Sequence, residues 1–184
     1  MIQNLKPEHF VDVIRLGNDV HGEGYLDRQS IESLYKKGIK SGINANFVAY
    51  QDGELVGFRL TYAPGNWRPD KWCTPKEWGV KIEQVCYFKC NTVAKSCQGK
   101  GIGGLLLQAS IDASKLQGAK AGVSHLWKQS PNNSAIRYFS KAGGVLINEH
   151  RDRWNDSKEH PDYVCVICGP DCHCTASEML LRFK

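Results

Sequence analysis

The sequence predicts an α+β domain, and three features of the chain carry that expectation. The opening reads as a strand, two helices and two strands in a row. A β-branched and aromatic run, Ile82 to Val93, then feeds through a glycine-rich turn, Gly99 to Gly104, into an amphipathic helix pattern. The last third adds further strand-like runs and ends in a Cys-rich β-hairpin. At 184 residues, one domain over 1–184 is expected, long enough to bury a core without staples.

Taken in order, Ile2 to Leu5 reads as a short strand, and Pro7 can open the first helix with Phe10, Val13, Ile14 and Gly17 on one face. Gly22-Glu23-Gly24 breaks the chain before a second helix carrying Ile31, Leu34 and Tyr35. Phe47 to Tyr50 and Leu55 to Tyr62 are strands, and Asp52-Gly53 between them tolerates the positive φ of a tight hairpin. From Ala63 to Lys81 an insertion carries Trp67, Trp72 and Trp78 among Pro64, Pro69 and Pro75. Its tryptophans form either a recognition surface or a lid over a core edge. After the strand Ile82 to Val93, the residues Ile102, Leu105, Leu106, Ala109, Ala113 and Leu116 recur at helical spacing, and Gly118 suits a C′ position. Val123 to Trp127 is a partner strand. Ser130 caps the next helix with Pro131 in its first turn, and Ala135, Ile136, Phe139 and Ala142 face inward. Gly144 to Arg151 is a strand and Asp152 to Asp162 a polar connection. The closing hairpin runs Tyr163 to Cys168, a turn at Gly169-Pro170-Asp171, and Cys172 to Phe183.

Composition narrows the partners. The net charge of +5 is spread along the chain, with no basic run beyond Lys36-Lys37, so no nucleic-acid partner is expected. No window approaches the run of about twenty apolar residues that crosses a bilayer, so no membrane partner is expected either. Met1 to Lys6 has no apolar signal region, and a cytoplasmic protein is the expectation. There the eight cysteines would stay reduced. Cys73, Cys86, Cys90 and Cys97 then act as small hydrophobes. Cys165-x-x-Cys168-x-x-x-Cys172-x-Cys174 contains a real zinc-ligand spacing. Zinc-binding pairs are usually a dozen or more residues apart, so closing a site in about ten is demanding. Reduced thiols at a strand tip are therefore preferred to zinc, and a thioredoxin-like role is set aside because no helix follows Cys168.

A strand turning into a helix through glycines points backbone N–H groups and the positive end of the helix dipole at one spot, which suits a phosphate or pyrophosphate. Gly99-Lys100-Gly101-Ile102-Gly103-Gly104 formally satisfies the dinucleotide pattern G-x-G-x-x-G. That reading needs an acidic residue about twenty positions on, and none stands between Asp112 and Glu149. A nicotinamide-dependent enzyme is therefore disfavoured.

Gln98-Gly99-Lys100-Gly101-Ile102-Gly103 instead resembles the Q/R-x-x-G-x-G signature of the GNAT acyl-CoA N-acyltransferase superfamily. Some thirty residues on, Asn132-Asn133-Ser134-Ala135-Ile136-Arg137-Tyr138-Phe139-Ser140-Lys141-Ala142-Gly143 is similar to that family's second motif, with Asn132, Ala135, Ile136, Lys141 and Gly143 in place. The resemblance covers roughly residues 82 to 147. It implies a mixed, mostly antiparallel sheet with helices on both faces, and acetyl-CoA as acyl donor. Coenzyme contacts are implied at Gln98, Gly99, Lys100, Gly101, Ile102 and Gly103, and at the backbone of Asn91, Thr92 and Val93. Asn132 and Phe139 are implied as further contacts.

The implied reaction is direct attack of an amine on acetyl-CoA. It needs a neutral amine, a polarised carbonyl and a proton for the leaving thiolate. The family often places a Tyr where this chain has Phe139, which has no proton to give. Tyr138 is one residue off and rotated about a hundred degrees, so it is expected to point elsewhere. Glu83, on the same strand face as Tyr87, is a candidate base acting through water, and His125 is a second because imidazole titrates near neutrality. The acceptor is a small-molecule or peptide amine, and a homodimer is left open. The alternative is a catalytically weak acyl-CoA-binding sensor or interaction domain.

Overall fold

The computed structural model describes residues 1–155 and 164–184. Its strands are β1 (Ile2–Asn4), β2 (Ile39–Lys40), β3 (Ile43–Asn44), β4 (Phe47–Gln51), β5 (Glu54–Tyr62), β6 (Val85–Val93), β7 (Ala121–Trp127), β8 (Val145–Arg151) and β9 (Thr175–Arg182). The helices are α1 (Phe10–His21), α2 (Arg28–Lys37), α3 (Ile102–Leu116) and α4 (Ser134–Lys141). One seven-stranded sheet runs in the order β1-β4-β5-β6-β7-β9-β8, and β2 and β3 form a small separate hairpin. Every neighbour pair is antiparallel except β6 with β7, so the sheet is mixed and mostly antiparallel.

Strand alternation sends successive side chains to opposite faces. On β5, Phe58 and Leu60 pack with Phe10 and Val13 of α1 and Ile31 of α2, while Gly57 lies against Leu106 and Ile102 of α3. On β6, Cys86 and Phe88 join Leu107 of α3, Phe139 of α4 and Met179 of β9. Helices therefore cover both faces. The α2 start is fixed by a capping box in which Asp27 accepts from the Ser30 N–H at 2.6 Å. The buried stripe of α3 is Leu106, Leu107, Ser110, Ala113 and Ser114, whereas Leu105 and Leu116, expected on that stripe, are exposed.

Two expectations are corrected. The strand expected from Ile82 starts at Val85, because Ile82–Gln84 is a 3₁₀ turn closed by the Gln84 N–H on Lys81 O. The Cys-rich hairpin has a different partner. β9 inserts between β7 and β8 and forms its hairpin with β8, while Cys165–Cys174 lie in the loop that precedes it. The physical reason is that β9 carries Ala176, Met179, Leu180 and Leu181, which need two sheet neighbours to be buried. Most of the expected connection from Asp152 to Asp162, and Tyr163, fall outside the described residues.

The Trp-rich insertion is part of the core rather than a free loop. Trp78 is fully buried, and its indole N–H donates to Glu178 Oε1 at 2.8 Å. Trp67 packs on Tyr87 and donates to Val85 O at 2.8 Å. Glu178 is itself fully buried and receives the Thr74 N–H, the Thr74 hydroxyl and His150 Nε2 as well. Burial alone would raise the Glu178 carboxyl, but these hydrogen bonds more than offset it and hold it below its ordinary range. One carboxylate thus ties the insertion to β8 and β9. Trp78→Ala should cost about 3–5 kcal/mol by cavity formation, with Glu178 losing a donor in addition. Trp72→Ala should cost clearly less, both read as midpoint shifts in urea.

Candidate active site

The site is built where two strands part. β6 and β7 pair in parallel only through Val85, Cys86 and Tyr87 opposite Ala121, Gly122 and Val123. Beyond that, β6 stays with β5 as far as Val93, and β7 stays with β9 as far as Trp127. The Ser124 hydroxyl donates to Phe88 O at 2.8 Å and holds the fork at its root. A cleft of about 1280 Å³ fills the gap and extends to the glycine turn on one side and to α1 on the other.

At the coenzyme end, Gly99 and Gly101 have φ of 77° and 84°. A Cβ on either would meet no protein atom within 4 Å. Packing therefore does not require these glycines; the left-handed backbone and the open space before it do. Gly101 caps α3 without any side-chain bond, and of the first-turn N–H groups only that of Gly104 has an acceptor, Gly101 O at 3.0 Å, so those of Ile102 and Gly103 are left at the mouth of the cleft. Gln98 Nε2 donates to Val93 O at 3.1 Å and pins the turn to the end of β6. Two buried polar atoms beside the fork, Arg59 Nε and Asn91 Oδ1, have no hydrogen-bond partner among the described residues. An uncapped helix start, an unpaired strand edge and these two atoms are what a pyrophosphate with an amide-bearing arm would satisfy.

Most of the expected contacts converge here. Asn91, Val93, Gln98, Gly99, Gly101, Ile102, Gly103 and Asn132 all line the cleft. Lys100 is exposed outside its lining. Thr92 is buried, with its hydroxyl 2.8 Å from His21 Nε2. Phe139 is corrected as a coenzyme contact. It is fully buried against Phe88 and fills the space that a Cβ on Gly144 would need. Tyr138 takes the place expected of that residue. Its ring lines the cleft and its hydroxyl accepts from Arg59 Nη1 at 3.0 Å, contrary to the expectation that it points away. Asn132 and Asn133 both have φ near 53°, which Asn tolerates better than most side chains. α4 therefore starts late, at Ser134, and Ser130 Oγ accepts from the Ala135 N–H at 3.1 Å.

The candidate bases divide. Glu83 is exposed in the 3₁₀ turn before β6 and away from the cleft, so it is not on the strand and does not reach the site. His125 does line the cleft, but both of its ring nitrogens are engaged. Nδ1 meets the Tyr87 hydroxyl at 3.0 Å and Nε2 meets Trp72 O at 2.6 Å. A carbonyl only accepts, so Nε2 carries the proton and Nδ1 accepts from the phenol. Burial, helped by Arg153, lowers His125 to about 4. Burial and Lys89 do the same to His21, also to about 4.

Sequence reasoning missed the cations. Lys89 is the extra residue at a bulge where β6 passes Leu60 and Thr61, and it lines the cleft. Its amine is lowered first by burial and then by Arg153. Arg153 donates to Asp70 Oδ2 at 3.1 Å and to the Tyr87 hydroxyl at 3.3 Å. Arg59, almost fully buried with its guanidinium 4.4 Å from the Phe88 ring centre, faces the coenzyme half. The only local signal for Arg59 was a charge inside an otherwise apolar strand. Trp67, Trp72 and Trp78 do not line the cleft.

Among the described residues, two clusters have metal-ligand composition. His125, His150 and Glu178 lie within 4.8 Å of one another, but Glu178 already takes four donors and His125 has no free nitrogen. Cys165, Cys168, Cys172 and Cys174 form the second cluster.

Residues 11–144 match the Acetyltransferase (GNAT) family. No curated protein matches the sequence. Among solved structures, the chain is similar to a ribosomal-protein-alanine N-acetyltransferase from Brucella melitensis, with a TM-score of 0.70 at 14% identity over 100% of this chain and 99% of that one. An N-acetyltransferase from Staphylococcus aureus Mu50 gives 0.70 at 18% identity over 100% and 98%. The protein yncA from Salmonella typhimurium, solved with its cofactor acetyl-CoA, gives 0.68 at 18% over 100% and 94%. The strand fork, the glycine turn and the match over residues 11–144 lead to one conclusion: the chain belongs to the GNAT acetyltransferase family.

Proposed function

We propose that this protein is an acetyl-CoA-dependent N-acetyltransferase that moves the acetyl group to an amine by direct attack. The observation that carries the reading is the open fork between β6 and β7, ending at an uncapped helix start. Acetyl-CoA supplies the acyl group as a thioester. The N–H groups around Gly101 to Gly103 would bond its pyrophosphate, and the free edge of β6 at Asn91 and Val93 would bond the arm. A backbone N–H on that edge would polarise the carbonyl. Tyr138, held by Arg59, lines the cleft with its phenol, and we assign it the proton for the leaving thiolate.

Among the described residues the one carboxylate that lines the cleft is Asp27 at the start of α2, which accepts from the Ser30 N–H and is held below its ordinary range by that bond. Asp70 is bonded to Arg153, and Glu178 is buried under four donors. Lys89 and Arg153 instead surround the site with positive charge, which disfavours an ammonium and favours its neutral amine. This supports an acceptor of low basicity, such as a small-molecule amine or the α-amine of a peptide, whose ordinary pKa of about 8 lies well below the 10.4 or so of a lysine side chain. A reducing, cytoplasmic setting is part of the same proposal, and none of the eight cysteines is paired in a disulfide.

Calorimetry with acetyl-CoA tests the coenzyme site. Binding should weaken by about tenfold or more in Gly101→Glu, because a carboxylate would occupy the pyrophosphate position. The fold should survive, since no protein atom is displaced and the left-handed φ of 84° costs a single side chain about 1–2 kcal/mol. Tyr138→Phe should lower kcat by about a hundredfold with little change in acetyl-CoA affinity; an unchanged kcat would remove Tyr138 from the reaction. The pH profile separates an enzyme base from substrate ionisation. With His21 and His125 at about 4, both are neutral across neutral pH. kcat/KM should therefore rise with pH only along the ionisation of the acceptor amine itself. A break near 6.5 that disappears in His125→Gln would assign a histidine base instead. No turnover with any amine, despite acetyl-CoA binding, would favour the acyl-CoA sensor.

A further inference from the structure

We infer that the loop before β9 holds a structural zinc ion, bound by Cys165, Cys168, Cys172 and Cys174, and that this metal builds the acceptor-side wall of the cleft. The four Sγ atoms all lie within 4.8 Å of one another. Cys165 and Cys174 are 3.9 Å apart, and Cys168 and Cys174 are 3.5 Å apart. Four thiolates at about 2.3 Å from one ion stand about 3.8 Å from each other in a tetrahedron. The separations match that edge and are far beyond a disulfide bond of about 2.05 Å.

The burial pattern of the loop is not the one that apolar contact alone would select. Cys165, Cys172 and Cys174 are 2–3% exposed, whereas Val166 and Ile167 are 53% and 57% exposed. Burying an aliphatic side chain is worth about 1.5–3 kcal/mol, so a loop folding for apolar contact would turn Val166 and Ile167 inward. This one turns Cys165, Cys172 and Cys174 inward instead and leaves Cys168 partly exposed.

The backbone fits a metal as well. Cys165 and Gly169 exchange two hydrogen bonds, N to O at 3.0 and 2.9 Å, which closes a tight turn around Cys168. Inside it, the Ile167 N–H donates to Cys165 Sγ at 3.5 Å. Such N–H···S bonds suit a ligating thiolate, whose charge they spread. His173 is excluded as a ligand. Its Nδ1 is 2.8 Å from Asp152 Oδ1 and its Nε2 is 3.1 Å from Asp171 Oδ2. The indoles of Trp127 and Trp154 pack against the cluster and limit water.

The short spacing that argued against zinc is met by the fold. Cys174 is positioned from outside the loop, where Thr175 starts β9, its N–H on Gln129 Oε1 at 2.9 Å. Cys165 is positioned by α1. The Val164 N–H donates to Glu23 O at 3.1 Å, and Val164 O would lie 2.0 Å from a Cβ on Gly22. Gly22 can approach so closely only because it has no side chain. A metal at the cysteines would therefore clamp the end of α1 to β9 across the cleft.

The test is metal analysis of the full chain, purified without chelator from zinc-supplemented cells, with cobalt titration of the metal-stripped protein. About one zinc per chain is expected, with the visible d–d bands of tetrahedral cobalt thiolate on titration. Cys165→Ser/Cys174→Ser should lower the zinc content to background, and Cys73→Ser should leave it unchanged. Should the double variant fail to fold, the cobalt spectrum of the unmutated chain decides. Iron in place of zinc would overturn the choice of metal. A folded chain with no metal, no cobalt bands and four titratable thiols or disulfides at these positions would overturn the site.

Discussion

The hydrogen bonds that β6 and β7 do not make govern this structure. After Tyr87 and Val123 the backbone groups of β6 that face β7 have no strand opposite them. A buried, unpaired backbone group costs about 1–3 kcal/mol, so a run of them persists only where water or a ligand reaches. The fork is kept open from both sides. β5 holds β6 through Val93, β9 holds β7 through Trp127, and the Ser124 hydroxyl fixes where the separation begins. Because β6 and β7 are parallel, their connection must cross over through α3. That crossover brings the helix start and its N–H groups to the mouth of the gap. Strand splay and anion site are consequences of one topology.

The two ends of the cleft are held by different physics. The coenzyme end relies on backbone geometry, with left-handed glycines, an uncapped helix and the Gln98 bond to β6. The other end relies on buried side-chain electrostatics. Glu178 gathers Thr74, Trp78 and His150, and Asp70, Arg153, Tyr87 and His125 form a chain that ends on Trp72 O. Partly satisfied networks of this kind are costly and fully satisfied ones are rigid.

This difference explains what could be read from the sequence. The glycine turn is local, so its six residues in order declared its conformation. The Asp52-Gly53 hairpin and the bounds of α3 were legible for the same reason, whereas on the face of α4 expected to be buried Phe139 is, Ala135 and Ile136 are half-buried and Ala142 is exposed beyond the helix end. Tyr138 was misread because the motif aligned the family tyrosine with Phe139, and only the late start of α4, after Asn132 and Asn133 in the left-handed region, shows which ring faces the cleft. Glu83 was misplaced by three residues of 3₁₀ turn that periodicity does not distinguish from a strand. Lys89, Arg153 and Arg59 come from three separate strands or loops, and nothing near any of them in sequence indicates that they meet. The insertion between β5 and β6 was legible as ordered, but its anchor, Glu178, lies a hundred residues later.

The convergence on β9 has a mechanical consequence. β9 is inserted between β7 and β8, so it bonds to a neighbour along both edges, and it carries Glu178 at its centre and Cys174 just before its start. Any device that fixes β9 also fixes β7, its direct partner, and with it one arm of the fork. The Trp-rich insertion grips β9 from the Tyr62 side through Glu178, and the cysteine loop grips its beginning and reaches α1 through Val164. Tyr87 is bonded to both His125 and Arg153, and His125 stands opposite Glu178 across β7 and β9, so their positions depend on β9 being fixed. The cation-lined half of the cleft is therefore preorganised by a strand that contributes no side chain to the coenzyme half. That separation lets the cation-lined half change through the cysteine loop while the glycine turn and the β6 edge stay as they are.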